Sequence, residues 1–255
     1  MMTSVCWNGC SFTIGEGFPK HLRDRYIYDR LVNKQFGFES TNIAVSGSSN
    51  LEIFKRSAQA LLDNKYDIVI TQWSALNRLW LYPGPDCSFF LNDTQYPDFK
   101  YRDIYIDRDT KTKLKETLLL LNHDYHNILD LISYCCILEC MASATDTRVI
   151  FVNGLVPWKD DLVCNFSNID IGRQLSAYTK SILDFDNRDD HEITILFKRL
   201  QNNFKKLNQN LWVNIFNSMQ SNTCDVGPEG HHPGILSHQL MANQISEYLT
   251  RNQIQ

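Results

Sequence analysis

Two distant stretches of the chain carry residue types that could together perform nucleophilic catalysis. Near the start, Ser11 follows Gly9 and Cys10 at the end of a short apolar run. A serine nucleophile needs a base within hydrogen-bond reach, and the base needs an acceptor that orients it. Near the other end, Glu229-Gly-His-His232 places a carboxylate three residues before a histidine. On a turn, this spacing can bring the carboxylate to one ring nitrogen and leave the other free for the serine.

Each of these residues also has a plain structural interpretation. Serine is a favoured helix N-cap, so Ser11 taken alone is better explained as the cap of the next helix. His232 taken alone is explained as a histidine at a helix entry, packed beside Pro233. The catalytic interpretation gains weight only if the fold brings the two stretches together.

Segments typical of strands and helices alternate along the chain, which favours an α/β fold. Strands are predicted near Ser4, Thr41, Asp67, Val149 and Trp212, and helices over residues 19–36, 51–64, 109–144, 190–208 and 235–251. We expect a three-layer α/β/α sandwich with a central, mainly parallel five-stranded sheet and right-handed crossovers. The loops after the strands then meet at one edge, where open α/β sheets place their sites.

The whole chain, 1–255, is predicted to form a single domain, because no repeat, low-complexity tract or linker composition divides it. The stretch over about 77–108 is irregular and rich in Pro, Tyr, Phe and Asp. A loop of this length inside a compact domain is unusual and often functional. It is either an insertion over the sheet edge, serving as a lid or substrate wall, or a surface excursion without a role in the site.

A tetrahedral intermediate formed at Ser11 would carry an oxyanion, which needs hydrogen-bond donors. The backbone N–H groups of Ser11 and Gly47 are candidates, since Gly47 lies in the turn that follows the second predicted strand. A polar side chain after the third strand could supply another donor.

Three short blocks of the sequence resemble the SGNH (GDSL-like) hydrolase superfamily. Gly9-Cys-Ser11 stands in the place of the nucleophile block and is similar to a GCS-type branch of that superfamily. Ser46-Gly-Ser-Ser-Asn50 is similar to the second block. Glu229-Gly-His-His-Pro233 is similar to the last block, with Glu in place of the usual Asp. In this match Gly47 takes the oxyanion role, and the second of the two adjacent histidines, His232, takes the role of the base.

The resemblance implies a flavodoxin-like three-layer fold and the hydrolysis of esters of varied alcohols and sugars. The third block departs from the family, which ends its third strand in Gly-x-Asn-Asp and uses the Asn side chain as an oxyanion donor. Here the strand ends in Gln72-Trp-Ser-Ala75, so Ser74 stands about where the Asn is expected, and Asn77 follows three residues later. Ser74 and Asn77 are therefore the two candidates for this donor.

Three functions fit these residues. The first is a serine ester hydrolase with Ser11 as nucleophile, His232 as base and Glu229 as the orienting acid; its substrate is a small-molecule or carbohydrate ester, and it needs no metal or organic cofactor. The second is an acyltransferase that uses the same site to move the acyl group to a sugar or another alcohol. The third is a binding module with a decayed site, which the missing Gly-x-Asn-Asp and the change from Asp to Glu would explain.

Composition argues against other classes of function. The formal net charge is −4, so no nucleic-acid surface is predicted. Neither a secretory signal nor a membrane span is predicted. The eight cysteines contain no CxxC pair, which favours a reduced, cytoplasmic environment over disulfides or zinc. His123 and His126 have a spacing that could serve a metal, but no carboxylate-rich partner motif accompanies them, so no metal site is predicted. The sequence carries no prediction of the oligomeric state.

Overall fold

A computed structural model describes residues 2–76, 78–80, 88–90, 99–101, 104–106, 124–155, 199, 202–215, 218–220, 222–230 and 232–254. In chain order, the described helices and strands are β1 (Ser4–Asn8), α1 (Ser11–Ile14), α2 (Lys20–Tyr26), α3 (Tyr28–Phe36), β2 (Glu39–Asn42), α4 (Asn50–Leu62), β3 (Ile68–Trp73), β4 (Arg78–Trp80), β5 (Ser88–Phe90), β6 (Phe99–Tyr101), β7 (Ile104–Ile106), α5 (Asp124–Ala144), β8 (Arg148–Asn153) and α6 (Ile235–Arg251). A short 3₁₀ helix, Gln209–Leu211, precedes α6.

The core of the fold is a parallel sheet with the strand order β2-β1-β3-β8. All six residues of β3 are buried, as expected for a parallel strand that is covered on both faces. The connections from β1 to β2 and from β2 to β3 run in opposite directions along the sheet. Right-handed crossovers therefore place α1–α3 on one face and α4 on the other. α3 packs against α6, and α4 packs against α5. The predicted α/β class with helices on both faces of a parallel sheet is confirmed.

The predicted fifth strand, over residues 211–216, is wrong within the described part of the chain. A single parallel bridge joins Trp212 to Phe151 on β8. Beyond it, the N–H of Asn153 donates to Oδ1 of Asn214 at 2.8 Å, and Nδ2 of Asn214 donates to the carbonyl of Asn153 at 3.2 Å. A side chain thus uses the backbone groups that a continuing strand would need. The described sheet has four strands and one bridged residue at its edge.

The helix predicted over 19–36 is two helices, α2 and α3, which are separated at Ile27. This buried residue has an extended backbone, with φ −73° and ψ 143°. The first N–H groups of a helix have no partner inside it. In α3, the N–H of Tyr28 donates to Nδ1 of His238 on α6 at 3.4 Å. A contact with the far end of the chain accompanies the break.

The described part of the helix predicted over 109–144 is α5. Its segment Asn127–Ala144 is long and apolar enough to cross a membrane, by length and composition alone, and core helices of soluble proteins meet the same criterion. Leu131, Cys135 and Leu138 recur at spacings of three and four residues and are fully buried. Because α5 packs against α4 and β8, this apolar stripe belongs to the core of the fold.

Short strands lie within the stretch 77–108, where the sequence predicts irregular chain. The antiparallel pairs β4–β5 and β6–β7 form two separate two-stranded sheets. Strands of three residues are too short to show a hydrophobic period, so the sequence does not reveal them. Most of the helix predicted over 190–208 lies outside the described residues.

Candidate active site

Ser11 lies at the carboxyl end of β1, as the first residue of the four-residue helix α1. The strand order reverses between β1 and β3, so this end of β1 borders the topological switch point of the sheet, where open α/β folds bind ligands. Ser11 is 2% exposed, and its Oγ has no hydrogen-bond partner among the described residues. The structure thus places a buried hydroxyl without a partner in the described residues at the sheet edge where open α/β folds put their sites.

The turn before Ser11 requires glycine because of a close approach. A Cβ on Gly9 would overlap Oγ1 of Thr13 and lie 2.9 Å from Cβ of Gln72. Without a side chain at residue 9, α1 can start directly against the end of β3.

A buried network of polar side chains from α1, α3 and β3 packs against this turn. Thr13 donates a hydrogen bond to Oε1 of Gln72, and the Tyr28 hydroxyl lies 2.7 Å from Oγ1 of Thr13 and 3.0 Å from Oε1 of Gln72. Nε2 of Gln72 reaches Sγ of Cys10 at 3.7 Å. Burial raises the pKa of Tyr28 well above its usual value, so its hydroxyl stays protonated and can donate. No sequence motif predicts this network, and the one signal for it is a Gln in a strand that otherwise holds one Thr and apolar residues.

The loop that contains Gly47 is tied by Arg56 to the turn that precedes Ser11. The Arg56 guanidinium donates to Oδ1 of Asn8 at 3.2 Å, to the carbonyl of Gly9 at 3.4 Å and to Oγ of Ser48 at 2.6 Å. Gly47 has φ +73°, in the left-handed region that favours glycine. The two backbone segments that were predicted to donate to an oxyanion are thus held by one side chain. Arg56 lies inside α4, and no sequence motif marks it.

The end of β3 is held by Asn50, from the second sequence block. The N–H of Ser74 donates to Oδ1 of Asn50 at 2.7 Å, and Nδ2 of Asn50 donates back to the carbonyl of Ser74 at 3.2 Å. The Ser74 side chain is fully buried, and its Oγ has no partner in the described part of the chain. Asn77, the other candidate donor, lies outside the described residues.

Glu229 and His232 meet across a tight loop. The N–H of Gly227 donates to the carbonyl of His232 at 2.7 Å, and Gly230 turns the chain with φ +78°. This closure brings Oε1 of Glu229 into a hydrogen bond with Nδ1 of His232. The carboxylate also packs on Gly17, where a Cβ would lie 2.5 Å from Oε1 of Glu229.

His232 lies beside α1 but makes no hydrogen bond with Ser11 among the described residues. Its ring contacts Phe12, the residue after Ser11, edge to face with 6.0 Å between ring centroids. Its Nε2 lies 3.7 Å from Oε2 of Glu16. The structure therefore brings Glu229 and His232 together and places the His232 ring against α1, the helix that begins at Ser11. A hydrogen bond between His232 and the Ser11 hydroxyl is absent from the described structure.

A second acidic residue of the same loop, Asp225, has a different partner. It caps α6, accepting hydrogen bonds from the N–H groups of Leu236 at 2.9 Å and Ser237 at 2.8 Å and from the Ser237 hydroxyl at 2.6 Å. Desolvation opposes ionisation of Asp225, but these hydrogen bonds outweigh it and lower the pKa of the carboxyl. Asp225 is thus engaged in positioning α6.

A second histidine, His238, is buried behind the site. It stacks on Tyr28 and meets Phe18 edge to face. Burial is the largest influence and lowers its pKa to about 4, and its Nε2 has no partner among the residues the structure describes. It is neutral near pH 7.

In the described residues, no group of three or more His, Cys, Asp or Glu side chains could hold a metal ion. The predicted pair His123 and His126 is not covered by this statement, because the former residue and the side chain of the latter lie outside the description.

No protein-family model matches the sequence, and no curated protein matches it. Among solved structures, the chain is similar to a lipase/acylhydrolase from Enterococcus faecalis, with 15% identity, coverage of 98% of this chain and 97% of that chain, and a TM-score of 0.43. It is similar to a catalytic mutant of an acetylxylan esterase from Geobacillus stearothermophilus, with 13% identity, coverage of 98% and 95%, and a TM-score of 0.45. It is also similar to a psychrotrophic esterase from Pseudoalteromonas sp., with 9% identity, coverage of 99% and 100%, and a TM-score of 0.44. At these TM-scores and identities, inferences about function rest on the residues of this chain.

Proposed function

We propose that the chain is a serine ester hydrolase in which Ser11 is the nucleophile, His232 the base and Glu229 the orienting acid. The observation that carries the proposal is the position of Ser11. It is a buried hydroxyl without a partner in the described structure, at the carboxyl end of a central strand, next to the switch point of the sheet. The hydrogen-bonded pair of Glu229 and His232 packs against the same short helix.

In the proposed reaction, Oγ of Ser11 attacks the carbonyl carbon of the ester while its proton passes to Nε2 of His232. Glu229 accepts the hydrogen bond from Nδ1–H and so fixes the ring tautomer that leaves Nε2 free. His232 then gives the proton to the departing alcohol as the C–O bond breaks, which leaves an acyl group on Ser11. A water molecule, deprotonated by the same Nε2, hydrolyses this intermediate and restores the serine.

The oxyanion of each tetrahedral intermediate needs preorganised donors. The N–H of Ser11 is available because the first residue of a helix has no partner for its N–H within that helix. We assign the N–H of Gly47 as a second donor and Oγ of Ser74 or the amide of Asn77 as a third. Arg56 supports this assignment, because it ties the loop of Gly47 to the turn of Ser11.

The proposed reaction requires the His232 ring to move until its Nε2 reaches Oγ of Ser11. Nε2 of His232 faces Glu16 in the structure, and a ring shift toward Ser11 would complete the chain of hydrogen bonds. Catalytic hydrogen bonds are often long or misaligned without substrate and tighten when it binds. The same observation favours a second candidate, a binding module with a decayed site, in which this shift never occurs.

Reaction with a fluorophosphonate probe separates the two candidates. We expect the probe to label the wild-type protein on the peptide that contains Ser11. It should not label Ser11→Ala, and it should label His232→Ala much more slowly than the wild type. Cys10→Ser is the matched control, since it changes the neighbouring side chain and leaves the hydroxyl in place. Labelling that is absent from wild type, or unchanged in Ser11→Ala, contradicts the hydrolase.

We further propose a small-molecule or carbohydrate ester as the substrate and a cytoplasmic location. The free state of all six described cysteines supports a reduced compartment. Acyl transfer to a sugar or alcohol would pass through the same acyl-serine, and product analysis with an added acceptor alcohol distinguishes it from hydrolysis.

A further inference from the structure

The position of Glu16 points to an electrostatic role at the mouth of the site. The N–H of Glu16 donates to the carbonyl of Ser11 at 2.9 Å, so its backbone is fixed one turn after the nucleophile. The preceding residue, Gly15, ends α1 in the left-handed conformation with φ +67°. This turn directs the chain of Glu16 back across the site.

The carboxylate of Glu16 lies between two of the predicted functional segments. Its Oε2 accepts a hydrogen bond from Oγ of Ser46, the neighbour of Gly47, and lies 3.7 Å from Nε2 of His232. Its side chain is 39% exposed, so the charge faces the solvent from which a substrate arrives. Glu16 is therefore positioned to meet the part of an ester that extends outward from the reacting carbonyl.

The charge of Glu16 is poorly neutralised. Within the described residues, His232 is its one basic partner inside 4.0 Å. A cleft of about 500 Å³ opens beside it and is lined by a second carboxylate, that of Glu229, which is 42% exposed. Arg23 lines the same cleft, but no ion pair within 4.0 Å joins it to either glutamate in the described structure, and its Nε donates to the carbonyl of Phe18 at 2.8 Å. Among the described residues that line this cleft, two carboxylates and one arginine carry charge, so the charged lining next to Glu16 is net negative.

From this arrangement we infer that Glu16 is a specificity-determining residue that selects esters by the charge of their alcohol portion. It favours a cationic alcohol, such as an alkylammonium alcohol, over a neutral one, and disfavours an anionic one. The inference rests on the proposed hydrolase function. A unit charge about 6 Å from the carboxylate, in surroundings between bulk water and a protein surface, changes kcat/KM by about threefold to tenfold.

The test compares three acetyl esters of similar size: acetylcholine, its neutral isostere 3,3-dimethylbutyl acetate, and the anionic 2-sulfoethyl acetate. In Glu16→Gln, we expect the cationic-to-neutral ratio of kcat/KM to fall by about threefold to tenfold, and the anionic-to-neutral ratio to rise by a similar factor. A structural disturbance of His232 lowers kcat/KM for all three esters together and leaves both ratios unchanged. Glu39→Gln removes the same charge from an exposed position on β2 and serves as the matched control.

Salt gives a second readout. The ratios of the wild type should move toward those of Glu16→Gln in 1 M salt, where the Debye length is about 3 Å. Ratios that are equal in wild type and Glu16→Gln, while turnover still depends on Ser11, overturn this inference and leave the hydrolase intact. An absence of turnover for all three esters, while the fluorophosphonate probe still labels Ser11, also overturns this inference alone. Turnover that persists in Ser11→Ala, or an absence of both turnover and labelling, overturns both proposals.

Discussion

The packing of Gly9 against Thr13 makes the turn that precedes Ser11 sensitive to one added methyl group. A Cβ at residue 9 would overlap Oγ1 of Thr13 and approach Cβ of Gln72 to 2.9 Å. Overpacking of this kind costs about 1–3 kcal/mol in the free energy of unfolding, and contacts this short argue for the upper end of that range. Since a domain has about 5–15 kcal/mol of stability, we expect Gly9→Ala to fold but to be about 3 kcal/mol less stable.

Thr13→Ala removes the overlapping oxygen and thereby tests the cause. Taken alone, it should cost about 1–3 kcal/mol, because the buried Tyr28 hydroxyl and Oε1 of Gln72 lose a partner. In the double variant the added methyl group no longer meets a hydroxyl. We therefore expect the two costs to be non-additive, with the total at least about 1 kcal/mol smaller than their sum.

Urea unfolding of the wild type, the two single variants and the double variant gives the four free energies of this double-mutant cycle. In parallel, kcat/KM for p-nitrophenyl acetate reports whether each change also affects the reactivity of Ser11. Gly227→Ala is the matched control, since a Cβ there would meet nothing closer than 3.6 Å. Its free energy of unfolding should change by less than about 1 kcal/mol. Costs that add to within about 0.5 kcal/mol would refute the overlap with Oγ1 of Thr13 as the cause. So would a Gly9→Ala variant as stable as Gly227→Ala.

Three further predictions concern single side chains. Tyr28→Phe should lower the free energy of unfolding, measured by urea, by about 1–2 kcal/mol, because its buried hydrogen bonds are lost. Tyr26→Phe, at a half-exposed position, is the control and should change the same quantity by less than about 0.5 kcal/mol. Glu229→Gln should lower kcat/KM about a hundredfold or more, because the carboxylate fixes the tautomer of the proposed base. The urea midpoint should change little, because this side chain is 42% exposed. An unchanged kcat/KM contradicts the role of Glu229 as the acid. Burial lowers the pKa of His238 from 6.5 to about 4. Between pH 6.5 and 4, the unfolded chain therefore binds a proton at this histidine that the native state does not bind. The free energy of unfolding should fall as the pH drops through this range. His238→Gln keeps an acceptor for the N–H of Tyr28 and should flatten this part of the stability curve; an equal slope in both proteins rules out His238 as its source.

Patterns of neighbouring residues were sufficient to predict individual strands and helices. The β-branched, nearly continuous run of β3 predicts a buried parallel strand, and the structure shows one. The helices predicted over 51–64 and 235–251 are observed as α4 (Asn50–Leu62) and α6 (Ile235–Arg251). Ser11 follows β1 at the sheet edge, as the order of strands and helices predicts. The catalytic roles assigned to Ser11, Glu229 and His232 stay predictions.

Contacts between distant parts of the chain determine what the sequence did not reveal. The break at Ile27 accompanies a hydrogen bond from Tyr28 to a histidine 210 residues later, which no local pattern encodes. Within the described residues, no fifth strand continues past Trp212, because the Asn214 side chain pairs with the backbone of Asn153 on β8. Glu16 belongs to no motif, and only the folded chain brings it to His232.

The proposed catalytic groups lie far apart in the sequence, at Ser11 and at Glu229 and His232, and this has a consequence for the order of synthesis. The first 76 residues contain β1, β2 and β3 with the loops of Ser11 and Gly47, whereas Glu229 and His232 directly precede α6. On the ribosome, the strands that present the hydroxyl can pair well before the base has been translated. Hydrolysis under the proposed mechanism must then wait until α6 docks on α3. Under that mechanism, the onset of esterase activity would report the docking of α6 on α3, and a nascent chain would carry an inert serine until that moment.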